Sequence, residues 1–137
     1  MKYLFEWTDN LSVNETDIDS QHKELLNQMN VLMSAIINHM ELDVIENAMK
    51  FLGVYIEGHL KYEEEYMLKN GYPDLDKHKV EHKDFINNYL KLKSKRLYDV
   101  PVNEIASEIE IFLGNWLITH IGHTDQKYAA YIKQKAS

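Results

Sequence analysis

At 137 residues the chain is long enough for one domain with a substantial apolar core and too short for two. Its 15 basic and 22 acidic residues give a net charge of -7, which argues against nucleic acid or an anionic membrane surface as partner, since either would meet net repulsion. With no cysteine, disulfides, thiolate zinc sites, cysteine-held iron–sulfur clusters and covalent c-type haem are excluded, so any metal must be held by nitrogen and oxygen.

The first ten residues, MKYLFEWTDN, carry Glu6 and Asp9 where a signal peptide would have its apolar run, and no stretch approaches the ~18 apolar residues of a membrane span. The expectation is a soluble, cytoplasmic protein without membrane insertion. Residues 1–18 show no clear periodicity and are expected to form an extended arm whose Phe5 and Trp7 cover the core.

Four helical patterns follow. The first, from a cap near Asp19 or Ser20, places His22, Leu25, Leu26, Met29, Leu32, Met33, Ile36 and Ile37 on one stripe. The second, about residues 43–69, has Ile45, Ala48, Leu52, Tyr55, Ile56, His59, Glu63 and Tyr66 in phase and stops at Asn70-Gly71, with Pro73 just beyond. The third, about 74–96, aligns Leu75, His78, His82, Phe85, Ile86, Tyr89 and Leu92, and its basic end KLKSKR suits the negative pole of the helix dipole. After a short loop around Asp99 to Pro101, the fourth carries Ile105, Ile109, Phe112, Leu113, Trp116, Leu117 and His120 and continues past Ile121 to Tyr128 and Ile132. Amphipathic helices of this length joined by short loops predict an all-α fold, an antiparallel up-down-up-down four-helix bundle with an N-terminal extended arm. Residues 1–137 would be one domain, with the arm over 1–18 and the bundle over about 19–134.

Five of the seven histidines, His22, His59, His78, His82 and His120, thus lie on apolar stripes of four separate helices, accompanied by Glu63 and Asp125. One inward histidine is most simply a core residue bonded to a carbonyl; five converging with two acids point to a metal site. His59 and Glu63, and likewise His78 and His82, are four apart and project from one face. His120 and Asp125 are five apart, about 140° around an ideal helix, whereas His123 lies nearer in bearing. Asp125 nevertheless belongs to the stripe Leu117, Ile121, Asp125, Tyr128, Ile132 and would face inward if the helix were locally wound wider. Spacing alone leaves His123 and Asp125 both open. Glu64 and Glu65 read as a solvated face.

The segments IDSQH ending at His22, HLKYEEEYM from His59, HKVEH from His78 to His82 and WLITHIGHTDQKY from Trp116 to Tyr128 resemble the hemerythrin family, in particular its single-domain bacterial members, over nearly the whole chain. That resemblance implies two iron ions joined by an oxo or hydroxo bridge, with His78, His82 and His120 on one iron, His22 and His59 on the other, and Glu63 and Asp125 bridging them. It selects Asp125 over His123, and leaves His39 and His123 as ordinary polar residues. It implies reversible O2 binding at the open position of the two-histidine iron, for storage, transport or delivery, with an oxygen-consuming enzyme as a candidate delivery partner. Sensing of O2 or nitric oxide through a separate partner is the alternative. A di-iron oxidase or an iron buffer ranks below both, because the glutamate-rich sites with Glu-x-x-His pairs of such enzymes are absent here; the expectation is a carrier, not an enzyme. Leu25, Leu26, Met29, Tyr62, Trp116 and Leu117 are the expected pocket walls. Gly122 stands where invertebrate members have a bulky aliphatic residue, which suggests a more open pocket.

Overall fold

The computed structural model describes residues 5–94 and 102–136, and among these every regular element is helical, with no strand. A single 3-10 turn, Asp9–Leu11, precedes α1, Thr16–Ile37. The helix begins a turn ahead of the Asp19/Ser20 signal because Glu15 caps it, its carboxylate accepting from the backbone N–H of Asp17 at 3.3 Å and of Ile18 at 2.8 Å. Asp19 lies inside the first turn instead. Its carboxylate accepts from the Ser12 hydroxyl at 2.5 Å and the Val13 N–H at 2.9 Å, tying the preceding residues to the helix.

Helix α2 spans Leu42–Lys69 and α3 spans Leu75–Ser94. The stop between them falls on Gly71, whose φ of +67° is the left-handed conformation that glycine adopts without strain. The expected end of the third helix at Arg96 and the loop at Asp99–Pro101 lie outside the described residues. Helix α4 is continuous over 102–136 but not uniform: Val102–Ile109, Trp116–Thr119 and Asp125–Ala136 are α-helical, while Glu110–Asn115 and His120–Thr124 are wound wider, as π-helix.

That winding follows from the burial pattern. Ile105, Ile109, Leu113, Leu117, Ile121 and Asp125 are all buried at a strict interval of four. On an ideal α-helix each such step overshoots the face by about 40°, so five steps would drift by about 200°. Two π segments, each taking up one extra residue worth about 100°, cancel the drift and keep the six side chains on one line.

Helix α1 packs on α2, α2 on α3, and α4 against both α1 and α3. The core has two parts. The larger cluster joins Leu25, Met29, Leu32, Leu52, Ile56, Phe85, Leu113 and Leu117; the smaller joins Val13, Ile18, Met67, Tyr72, Tyr128 and Ala129. Phe5 closes the larger one. Its ring rests on Gly114, where any Cβ would collide with it, and its backbone N–H and C=O pair with the Asn30 side chain at 2.7 and 3.0 Å.

Candidate metal centre

Along every helix the seven singled-out residues fall between the two apolar clusters. His22 follows Ile18 and precedes Leu25 on α1; His59 and Glu63 lie between Ile56 and Met67 on α2; His78 and His82 precede Phe85 on α3; His120 and Asp125 lie between Leu117 and Tyr128 on α4. All seven are buried, with Glu63 and Asp125 at 0% exposure, whereas His39 and His123 are exposed. The π segment His120–Thr124 bears on the choice that spacing left open. It carries Asp125 round to the face of His120, whose Nε2 lies 2.9 Å from Asp125 Oδ1.

The two carboxylates divide the five imidazoles between them. Glu63 Oε1 lies 3.3 Å from His78 Nε2, 2.8 Å from His82 Nε2 and 4.0 Å from His120 Nε2, and Asp125 Oδ1 lies 2.9 Å from both His78 and His120. The other oxygens face the opposite way, Glu63 Oε2 at 3.3 Å from His22 Nε2 and 3.8 Å from His59 Nε2, and Asp125 Oδ2 at 3.2 Å from His22. The result is two adjoining ligand groups, Glu63, His78, His82, His120 and Asp125 in one and His22, His59 and Glu63 in the other, each with its donor atoms within 4.8 Å of one another.

These approaches are close but lack hydrogen-bond alignment. The Nε2 atoms of His22, His78, His82 and His120, Glu63 Oε1 and both oxygens of Asp125 are buried without a hydrogen-bond partner. Buried polar atoms left in this state cost about 1–3 kcal/mol each, so a cluster of them calls for a positive centre to satisfy it. Imidazole nitrogen and carboxylate oxygen with no thiolate suit iron, as they suit several other transition metals.

The local electrostatics show how strongly the site wants positive charge. Burial pushes His22 and His78 down, but the carboxylates of Asp125 and Glu63 outweigh it and hold both up at about 9. Burial wins at His59, which falls to about 4. Burial also works against ionisation of Glu63 and Asp125, yet the surrounding imidazoles keep both below the usual carboxylate range.

Several of these side chains are held from outside the cluster. His59 Nδ1 donates to Gln21 Oε1 at 2.7 Å, His82 Nδ1 to Glu64 Oε2 at 2.8 Å, and His120 Nδ1 to Glu81 Oε1 at 3.1 Å, which also accepts from the Thr124 hydroxyl at 2.9 Å. The buried Tyr128 hydroxyl donates to Glu63 Oε2 at 2.8 Å. With Nδ1 occupied as a donor, each of these three rings presents the lone pair of Nε2 to the centre. Glu64 is therefore not the solvated residue its acidic run suggested, and Gln21, Glu81 and Thr124 carried no signal in the sequence. Only the register between helices brings them to the ligands.

The expected walls need two corrections. Tyr62 is exposed, its hydroxyl donating to Asp17 at 3.3 Å. Gly122 is exposed too, and a Cβ there would meet Leu11 at 3.3 Å rather than fill a pocket beside the ligands. Trp116 does line the centre: it stacks on His120 at 4.7 Å and on Phe85 at 4.6 Å, nearly parallel to both.

A family model described as the hemerythrin HHE cation binding domain matches residues 14–132. The chain belongs to the hemerythrin family. It is 32% identical over 133 residues to a bacteriohemerythrin of Stenotrophomonas maltophilia (strain R551-3), covering 95% of this chain and 82% of that protein. It is 28% identical over 128 residues to a bacteriohemerythrin of Clostridium acetobutylicum, 91% of this chain and 98% of that one, and 30% identical over 124 residues to a myohemerythrin of Theromyzon tessulatum, 90% of each. As a hemerythrin-family domain it is expected to bind non-haem iron, and the buried cluster above is where its fold offers a place for it.

Proposed function

We propose that this chain binds O2 reversibly at a non-haem di-iron centre and acts as an oxygen store or transporter rather than an enzyme. His78, His82 and His120 would hold one iron, His22 and His59 the other, with Glu63 and Asp125 bridging. The observation that carries this reading is that each carboxylate turns one oxygen to each group, Glu63 Oε1 toward three imidazoles and Oε2 toward two, Asp125 Oδ1 toward two and Oδ2 toward one. A single metal would not need it. Two ferrous ions held by these residues would supply the two electrons that reversible O2 binding needs.

The protein's share is to hold that pair and keep water out. Tyr128, whose burial among Glu63 and Asp125 pushes its hydroxyl well above the usual phenol range, stays protonated and fixes the Glu63 carboxylate. Leu25, Leu26, Met29, Leu117 and Ile121, all buried, lie within two helical turns of His22 or His120 on the same helices, and an apolar layer there disfavours loss of charged oxygen species and entry of water. Five neutral imidazoles against two carboxylates favour the ferrous state, unlike the carboxylate-rich donor sets of di-iron oxidases. The family relatives named as bacteriohemerythrin and myohemerythrin support the same reading. The four helices would run up-down-up-down as a single domain.

The test is to reduce the purified protein without air, admit air, then remove it, recording the visible spectrum alongside an iron count. Two irons per chain and a coloured oxygenated form that bleaches on removal of O2 are expected. A single zinc, or a colour that cannot be reversed, would overturn the reading.

A further inference from the structure

The groups that bond the ligands from outside are unevenly distributed. On the three-histidine side both outer partners are carboxylates, Glu64 on His82 at 2.8 Å and Glu81 on His120 at 3.1 Å. On the two-histidine side His59 bonds to the neutral amide of Gln21 at 2.7 Å. The oxygen of Glu63 that faces that side, Oε2, receives the Tyr128 hydroxyl at 2.8 Å, while Oε1, facing the other side, has no hydrogen-bond partner. The Nδ1 atoms of His22 and His78, one on each side, also lack a partner among the described residues, so they leave the imbalance untouched.

Each contact has a defined electronic effect. A carboxylate accepting from imidazole N–H draws that proton toward itself and makes the opposite nitrogen a stronger donor. An amide oxygen does so less. A hydroxyl donating to a carboxylate oxygen withdraws density from it and weakens its bond to a metal. Both effects run in one direction, toward density on the three-histidine side and away from the two-histidine side.

We propose that Gln21, Glu64, Glu81 and Tyr128 polarise the metal pair, making the three-histidine metal electron-rich and the two-histidine metal electron-poor, so that a diferrous pair loses its first electron from the three-histidine position. The inference rests on the di-iron reading above. With ferricyanide as the one-electron oxidant, the first step converts one ferrous ion at His78, His82 and His120 to ferric and yields ferrocyanide; the second does the same at His22 and His59. The four residues are positioning residues, acting through ligands they hydrogen-bond. The polarity also suits a carrier, since the iron offering the open position stays the more Lewis-acidic of the two.

Anaerobic titration of the diferrous protein against ferricyanide resolves the two steps, and zinc titration of the metal-free protein reads the donor strength without any redox chemistry. Glu64→Gln and Glu81→Gln keep side-chain shape and should each raise the potential of the first step, leave the second nearly in place, and weaken one of two zinc sites by roughly 10–100-fold. Gln21→Glu should lower the potential of the second step and tighten the other zinc site, and Tyr128→Phe should shift the second step the same way. The proposal is overturned if the two carboxylate variants move the second step or neither, or if Gln21→Glu moves only the first. Failure of the wild-type protein to hold two irons per chain would instead remove the di-iron reading itself, a separate outcome visible in the iron count.

Discussion

Asp125 and His123 show what a single residue contributes here and how far its role can be read in advance. They are two positions apart, yet Asp125 is fully buried between His22, His78 and His120, and His123 is exposed. His123→Ala should keep both irons; Asp125→Ala should lose iron and lower stability, because His22, His78 and His120 would then face a cavity with one carboxylate instead of two. Iron content and thermal melting of the two variants check this directly. The titration of the ligands gives a second expectation. His22 and His78, raised to about 9 in the metal-free protein, contribute stability that is present below 6.5 and lost as pH rises through about 9. His59, lowered to about 4, and the depressed Glu63 contribute stability that fades as pH falls below 6.5 and below 4.5 respectively. Metal-free protein should therefore be most stable near pH 6.5. Metals bind neutral imidazole, so loading at pH 7.5 should release protons, chiefly from His22 and His78, and the release should shrink as pH passes about 9. Calorimetry in two buffers of different ionisation enthalpy measures it; uptake of protons on loading would contradict the assignment. At this scale the five inward histidines and the His59–Glu63 pair were legible, because each follows from periodicity within one helix. Gln21, Glu64 and Glu81 were not, because each acts across a helix–helix contact whose register no single stripe records.

On the scale of elements the informative one is α4. Its apolar residues read as two overlapping stripes, which left the direction of Asp125 unsettled; in the fold Ile105, Ile109, Leu113, Leu117, Ile121 and Asp125 form one buried line because two π segments take up the drift, while Phe112 of the first stripe is exposed. The sequence contained the interval of four but not the knowledge that winding, rather than a broad apolar face, would accommodate it. A one-residue deletion inside an α-helix normally rotates everything beyond it by about 100° and ruins the core. Inside the π segment His120–Thr124 it should instead restore α-helical winding and leave both flanks where they are. Removal of exposed Gly122 is therefore expected to keep both irons with little loss of thermal stability, whereas removal of Thr119, from the neighbouring α-helical turn, should abolish iron binding. Equal damage from both deletions, by melting and iron content, would show that the π winding does not serve this purpose. Gly122→Leu has a different expected outcome from a pocket plug, since the added side chain would press on Leu11 and loosen the residues ahead of α1.

Taken whole, the molecule has a polar layer set between two apolar clusters, and none of its described helices is long and apolar enough to cross a membrane. Chelation should leave the helices formed, since both clusters persist, but should lower the melting temperature. Conversely, a metal held at about 1,000 times its Kd adds roughly 4 kcal/mol. Circular dichroism before and after metal removal would show it, and an unchanged melting temperature would mean the layer is satisfied without metal. The helical class was legible from period alone, while the start of α1 was not, because Glu15 caps it in place of a more usual Asp or Ser. The spread of the ligands from His22 to Asp125, over all four helices, bears on how the protein comes into being. A growing chain that ends before α4 already carries His22, His59 and Glu63 but has neither His120 nor Asp125, so the larger group is still incomplete. Filling of the larger group must then come after synthesis of α4, while the smaller group is complete as soon as α2 has been made.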